Sequence, residues 1–242
     1  MARALKHTVE YLPFQAMAET TRMIFAHGRV PHENLVVWGR AFRREAYPFG
    51  KVPCLHVAAD GATTTVAQSG AIARYAAKLA GVYPSDALAC ARGDAVFELA
   101  QELCTINPLV NCYVGGEHER IKRWYLERLP EALGQLARQL ALEEDGPFFG
   151  GETPHHGDFN AYHHLNNVHE LDGDYDVGAA LGDWMAAMEA LPDLRAYLDR
   201  RPTLVGVGDD PGLVDRAGTF VTQRNPYDKR CALADGLFTF EA

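Results

Sequence analysis

In HTVEYL, residues 7 to 12, the apolar Val9 and Tyr11 alternate with the polar Thr8 and Glu10, which is the period of a short half-buried strand. The period then lengthens. In AMAETTRMIFAHGRV, Met17, Thr21, Ile24 and Phe25 fall on one helical stripe, and Gly28 offers a stop. NLVVW is a second strand, and RAFRREAYPFG is an irregular basic connection. VPCLHVAADGATTTVA has the pattern of a hairpin turning at Asp60-Gly61. SGAIARYAAKLAG is a helix closed by Gly81. The front of the chain therefore runs β-α-β and then β-β-α.

After VYPSD the texture changes, and nearly everything up to residue 200 carries helical spacing. The clearest stripe is Leu126, Leu129, Leu133, Leu136 and Leu140, three and four apart, a core-packing pattern expected on one helix. Later helices are expected over 157–170, 180–190 and 192–200. A mixed front followed by an all-helical region predicts two domains, 1–82 and 83–202, joined near Gly81 to Ser85. Residues 203–242 are rich in turn formers and show no sustained period. They are expected to form an irregular extension that packs back on the body through residues such as Leu237, Phe238 and Phe240.

Composition narrows the functional classes. The formal net charge of -9 argues against nucleic acid and against an anionic membrane surface as partner, while leaving room for a local basic pocket. No apolar run approaches the roughly 18 residues that span a membrane, and MARALKHTVEYL has no signal-peptide core. Cys54, Cys90, Cys104, Cys112 and Cys231 are scattered without a CxxC, the mark of reduced thiols in a cytoplasmic protein. His155, His156, His163, His164 and His169, with Glu170 and Asp172 nearby, match no standard ligand spacing, so no metal is expected.

Candidate chemistry concentrates in two stretches, YPFGKVPCLHV and VAQSGAIARY. Val52 precedes Pro53 and is pushed toward extended backbone. If that bond is cis, the chain turns sharply and leaves the Val52 N–H and C=O free to pair with an extended peptide-like ligand. Ser69 opens the next helix, whose N-terminus favours a carboxylate. The predicted ligand has a peptide-like middle and an anionic end. A plain helix cap at Ser69 and a plain strand start at Pro53 would use the same residues without a ligand.

PFGKVPCL followed by QSGAIARY, on a β-α-β-β-β-α order, resembles the cytosolic glutathione transferases, most of all the tyrosine-type sigma class. YLPFQAMAETTRMIF resembles the family's first strand, catalytic tyrosine and helix start, with Tyr11 seven residues before Ala18. LPEALGQLARQL, GPFFGGETPHHGDFNAY and LPDLRAYLDRRP resemble later helical segments, so the likeness spans residues 7 to 202. It implies a thioredoxin-like first domain, an all-helical second domain, a homodimer and glutathione as co-substrate. Tyr11 would stabilise the glutathione thiolate. Val52 and Pro53 would hold the cysteinyl part, and Gln68 and Ser69 the γ-glutamyl end. Trp38, Arg44 (or its neighbour Arg43) and Lys51 would face the glycyl end. Glu102, or Gln101, would reach the γ-glutamyl amine across the dimer. A small hydrophobic electrophile would meet Leu12, Phe14, Asn107, Val110 and Tyr113. Two departures stand out. TPHHGDF replaces the usual helix start, with Asp158 still able to cap, and the extension beyond 203 is longer than the class carries. The alternative is a protein of the same fold that binds or builds with little turnover. A disulfide reductase fits poorly, because FQAMAE has no cysteine.

Overall fold

The computed structural model describes residues 5–12, 14–37, 42–103, 115–143, 145–201 and 237–240. Strand β1 (Lys6–Tyr11) buries His7, Val9 and Tyr11 on one face and turns Thr8 and Glu10 to the other. Helix α1 (Ala16–His27) buries Thr21, Ile24 and Phe25 as the stripe predicts, and also Glu19 and Arg22, which it does not. Strand β2 (His32–Val36) is parallel to β1, with Tyr11 opposite Val36. It starts two residues before the expected NLVVW strand, because its buried face carries polar residues. The His32 ring packs 5.0 Å from that of Phe25, and Asn34 accepts from Arg22 at 2.9 Å.

A short 3₁₀ turn, Arg44–Ala46, leads to the hairpin β3 (Cys54–Ala59) and β4 (Ala62–Ala67). Asp60 and Gly61 join the two strands, both at positive φ (51° and 78°), as a tight two-residue turn requires. Helix α2 (Ser69–Ala80) ends on Gly81. The sheet is mixed, in the order β4-β3-β1-β2-β5. The last of these corrects the sequence reading. Within the extension expected to be irregular, Leu237–Phe240 forms β5, antiparallel to β2 with Leu237 opposite Leu35. Four residues are too few to show a period, and an edge strand's demand for partners is invisible in local sequence.

The helical part comprises α3 (Ala87–Leu103), α4 (Gly115–Leu126), α5 (Leu129–Leu140), α6 (His156–Leu171), α7 (Ala179–Glu189) and α8 (Pro192–Arg200). The leucine ladder is split. Leu126 closes α4, and the other four leucines sit on α5, whose start is marked by Pro130 at a position where a missing N–H is harmless. Helix α6 is the central post. Asp158 does cap it: one carboxylate oxygen accepts the His155 N–H, and the other accepts the Phe149 N–H and the Trp184 Nε1–H, each at 2.9 Å. The unusual Gly157 has a steric reason. A Cβ there would lie 2.7 Å from the Gly93 carbonyl oxygen of α3 and 2.8 Å from Cε1 of His155.

Two polar seams tie the sheet region to the helices. On α1, buried Arg22 donates to Glu19 at 3.0 Å and to the Phe14 carbonyl at 3.0 Å, and the Tyr197 hydroxyl of α8 donates to Glu19 at 2.8 Å. On α2, Arg74 donates to Asp94 and Glu98 of α3, each at 2.6 Å. His156 meets the same Asp94 at 2.8 Å.

Candidate active site

Strand register brings the main candidates to one end of the sheet. Glu10, the residue before Tyr11, lies opposite Cys54, and Cys54 lies opposite Ala67. Tyr11 therefore ends β1, the Val52-Pro53 peptide lies just before the start of β3, and Gln68-Ser69 lies just after the end of β4, on three adjacent strands. Neighbouring strands are about 4.8 Å apart, so this row spans about 10 Å, the length of three extended residues. The Val52-Pro53 bond is cis. Among the described residues, neither the Val52 N–H nor its C=O makes a backbone hydrogen bond. The pair is left free beside β3, as an extended ligand would need.

At one end of the row stands Tyr11, 6% exposed at the close of β1. The loop after it is braced from behind. The Phe14 N–H donates to the Leu12 carbonyl at 2.7 Å, and Arg22, 1% exposed, holds the Phe14 carbonyl. Leu12 and Phe14 are half-buried. At the other end, Gln68 takes φ 76° and ψ 118°, a conformation that L-residues other than glycine rarely adopt, and it is exposed. Such backbone persists where the surroundings impose it, and it clusters at ligand clamps. Ser69 is the first residue of α2, so it sits at the free N–H groups of that helix.

Arg44 and Lys51 are exposed, and among the described residues neither has an acidic partner. Between them, Gly50 takes φ 63°, and a Cβ there would lie 2.8 Å from both Cγ and Nε of Arg44. The arginine stem folds across that glycine, one residue from Lys51. Arg43 is exposed beside it. Trp38, Asn107, Val110 and Tyr113 lie outside the described residues. Glu102 is exposed on α3, while Gln101 turns inward, its Nε2 donating to the Met17 sulfur at 3.3 Å and its Oε1 accepting from Asn160 at 3.3 Å.

The histidines serve the helical core. His155 caps α6, its Nδ1 accepting the Gly157 N–H at 3.1 Å. His163 and His164 are buried. Burial, opposed by Asp94 and reinforced by His155, lowers the His156 pKa to about 4. The Asp94 carboxyl is pushed up by burial but held below its ordinary value by Arg74 and His156. No group of three or more His, Cys, Asp or Glu stands ready for a metal among the described residues. Sequence reasoning passed over Glu10, Tyr47, Arg22 and the Arg74–Asp94 pair. Only the three-residue spacing of Glu19 and Arg22 on one helix was a readable signal for any of them.

Residues 94–200 match the family model described as glutathione S-transferase, C-terminal domain. NaGST-2 superposes with a TM-score of 0.74 at 21% identity, covering 83% of this chain and 98% of the other. Rat hPGDS complexed with a quinoline gives 0.69 at 25%, covering 82% and 98%. The glutathione S-transferase from Ascaris lumbricoides gives 0.68 at 20%, covering 82% and 98%. The chain has the glutathione S-transferase fold. A comparison with curated proteins finds no match. Within that fold, the row from Tyr11 to Ser69 lies on the thioredoxin-like half, and the helical half stands against it through α1, α2 and α6.

Proposed function

We propose that this chain is a glutathione transferase of the tyrosine type, most like the sigma class, in which the Tyr11 hydroxyl donates to the sulfur of bound glutathione. One observation carries the reading: Tyr11, the free backbone of Val52 at a cis peptide, and Gln68-Ser69 share one end of three neighbouring strands. The tripeptide pairs with Val52, its γ-glutamyl carboxylate meets the N-terminus of α2, and its glycyl carboxylate meets Arg44 and Lys51.

A free thiol has a pKa near 8.5, so only a few per cent is ionised at pH 7. Lowering it by about two units needs about 2.7 kcal/mol, and one charge-assisted hydrogen bond supplies about 1.5–3 kcal/mol. The thiol proton leaves to solvent. The thiolate then forms a carbon–sulfur bond with the electrophile as its leaving group departs, or it adds to and later leaves a substrate that is isomerised. Leu12 and Phe14 border the electrophile, which is small and hydrophobic, with Asn107, Val110 and Tyr113 proposed across from them. The enzyme works in the cytoplasm as a homodimer. Phe49, 61% exposed on the loop before Gly50, is an apolar side chain that a second copy would cover.

The second reading, a ligand-binding protein with little turnover, draws on β5, which brings the extension to the edge strand next to β1. Calorimetric titration of glutathione at several pH values separates the two. Saturable binding that releases a proton near neutral pH is expected. In Tyr11→Phe, binding should persist, proton release should vanish, and kcat/KM with an aryl chloride should fall about 10- to 100-fold. Binding without proton release in the unaltered protein favours the second reading, and no binding at millimolar glutathione refutes both.

A further inference from the structure

We infer that Tyr47 and Glu10 form a latch that positions the two cations of the 42–51 loop for a ligand carboxylate, which makes both of them positioning residues of the glutathione site. The inference rests on the proposed glutathione reading and goes past it, since neither residue touches the ligand in that reading.

Along residues 42–51, Tyr47 is the one buried side chain, while Arg43, Arg44, Glu45, Ala46, Pro48, Phe49 and Lys51 are exposed. The short turn within the loop is held by backbone bonds of its own, Ala46 N–H to Arg43 O at 2.9 Å and Gly50 N–H to Tyr47 O at 2.9 Å. Those bonds set its shape but not its place on the sheet. The Tyr47 side chain ties the loop to β1, while a Cys54 Sγ contact of 3.6 Å with the Lys51 carbonyl ties its end to β3. The Tyr47 ring stacks on Phe42 with centroids 5.3 Å apart and planes 16° apart, and its hydroxyl donates to Glu10 Oε1 at 3.0 Å.

Glu10 is itself fixed. Its other oxygen meets His56 Nε2 at 2.7 Å, and His56 Nδ1 meets the Thr65 hydroxyl at 3.0 Å, so the carboxylate is held across β1, β3 and β4. Burial, with Glu10 beside it, raises the Tyr47 pKa, so the phenol stays a donor. Glu10 lies on the face of the sheet opposite Tyr11, one residue away along β1. The latch couples the loop that carries Arg44 and Lys51 to the strand that carries Tyr11.

Such a latch affects one end of the ligand only, and glutathione can be compared with its glycyl monoethyl ester, which lacks the carboxylate those cations would face. The unaltered protein is expected to bind glutathione about tenfold more tightly than the ester, the worth of one exposed-to-half-buried ion pair with a hydrogen bond. In Tyr47→Phe and Glu10→Ala, Kd and KM for glutathione should rise about tenfold, the ester should bind as before, and kcat at saturation should stay within about twofold. Glu10→Gln, which still offers an acceptor oxygen, should restore most of the preference. If both ligands weaken equally in Tyr47→Phe, the residue is merely structural and the inference is overturned. It is overturned as well if the variants keep the full preference, or if the unaltered protein does not discriminate the ester. Failure of the unaltered protein to bind either ligand would instead remove the glutathione reading, and the latch with it.

Discussion

The buried histidines make this fold acid-sensitive by a calculable amount. His32, His156 and His163 are 5%, 0% and 1% exposed. Burial lowers their pKa values to about 4, about 4 and about 3, from an ordinary 6.5. The sign follows from which state binds protons. Above pH 6.5 the three rings are neutral whether the chain is folded or not, and their contribution is fully present. As pH falls below 6.5 the unfolded chain takes up three protons that the folded chain refuses until pH approaches 4, and stability drops. Near pH 5 the difference is close to three protons, which gives a slope of about 4 kcal/mol per pH unit. Burial also lowers His7, His27 and His164, which adds in the same direction. Glu170, raised chiefly by burial, opposes them with one group. Summed down to pH 5 the three groups remove about 6 kcal/mol, so a fold at the lower end of the usual range of about 5–15 kcal/mol should be half unfolded near pH 5 without denaturant. Urea titrations at pH 7.5, 6.5 and 5.5, with potentiometric proton uptake on unfolding at pH 5.5, measure the slope directly. His32→Phe should flatten it by about a third. A urea midpoint constant from pH 7.5 to 5.5, or uptake of fewer than one proton, would refute the reasoning.

Two further outcomes follow from backbone geometry. Gln68→Gly should relieve the strained φ of 76°, raising stability by about 1 kcal/mol while weakening glutathione by about tenfold through the lost side chain. Thermal denaturation and calorimetric titration on the same sample would show both effects, and a rise in affinity would count against a binding role for Gln68. Gly157→Ala should lower stability by about 1–3 kcal/mol, because the new methyl meets the Gly93 carbonyl oxygen at 2.7 Å. A urea midpoint equal to that of the unaltered protein would show that the α3–α6 crossing can yield.

The sequence was most legible where one local rule sufficed. Val9 and Tyr11 announced β1, Asp60-Gly61 the hairpin turn, and Gly81 the end of α2, since each needs only a period or a left-handed residue. It was least legible where a partner far along the chain decides. His32 falls before the strand read from NLVVW until Phe25 is placed over it, and Asn34, the first residue of that strand, gains its buried partner only from Arg22. Leu126 continues the spacing of α5, yet the chain turns at residues 127 and 128, and Pro130 at the start of the next helix was the overlooked sign. Gly157 looked like a departure from the helix start of the glutathione transferases, and only the close passage of α3 explains it.

The same contrast runs through the site. The motifs around Val52-Pro53 and Gln68-Ser69 are short and read directly, because the proposed ligand, pairing with backbone, would ask for backbone shape, and proline and a helix start supply it. What joins them is register. Glu10, Cys54 and Ala67 face one another across three strands, and that alignment, which no single motif encodes, turns two separate stretches into one row of ligand length. Side chains that act through others leave no motif at all. Tyr47 reads as part of an irregular connection and Glu10 as the polar half of an alternation. They lie 37 positions apart, so their meeting at 3.0 Å depends on the fold of the chain between them. A substitution at either would pass unremarked in the sequence, and the difference between glutathione and its glycyl ester is where it should show.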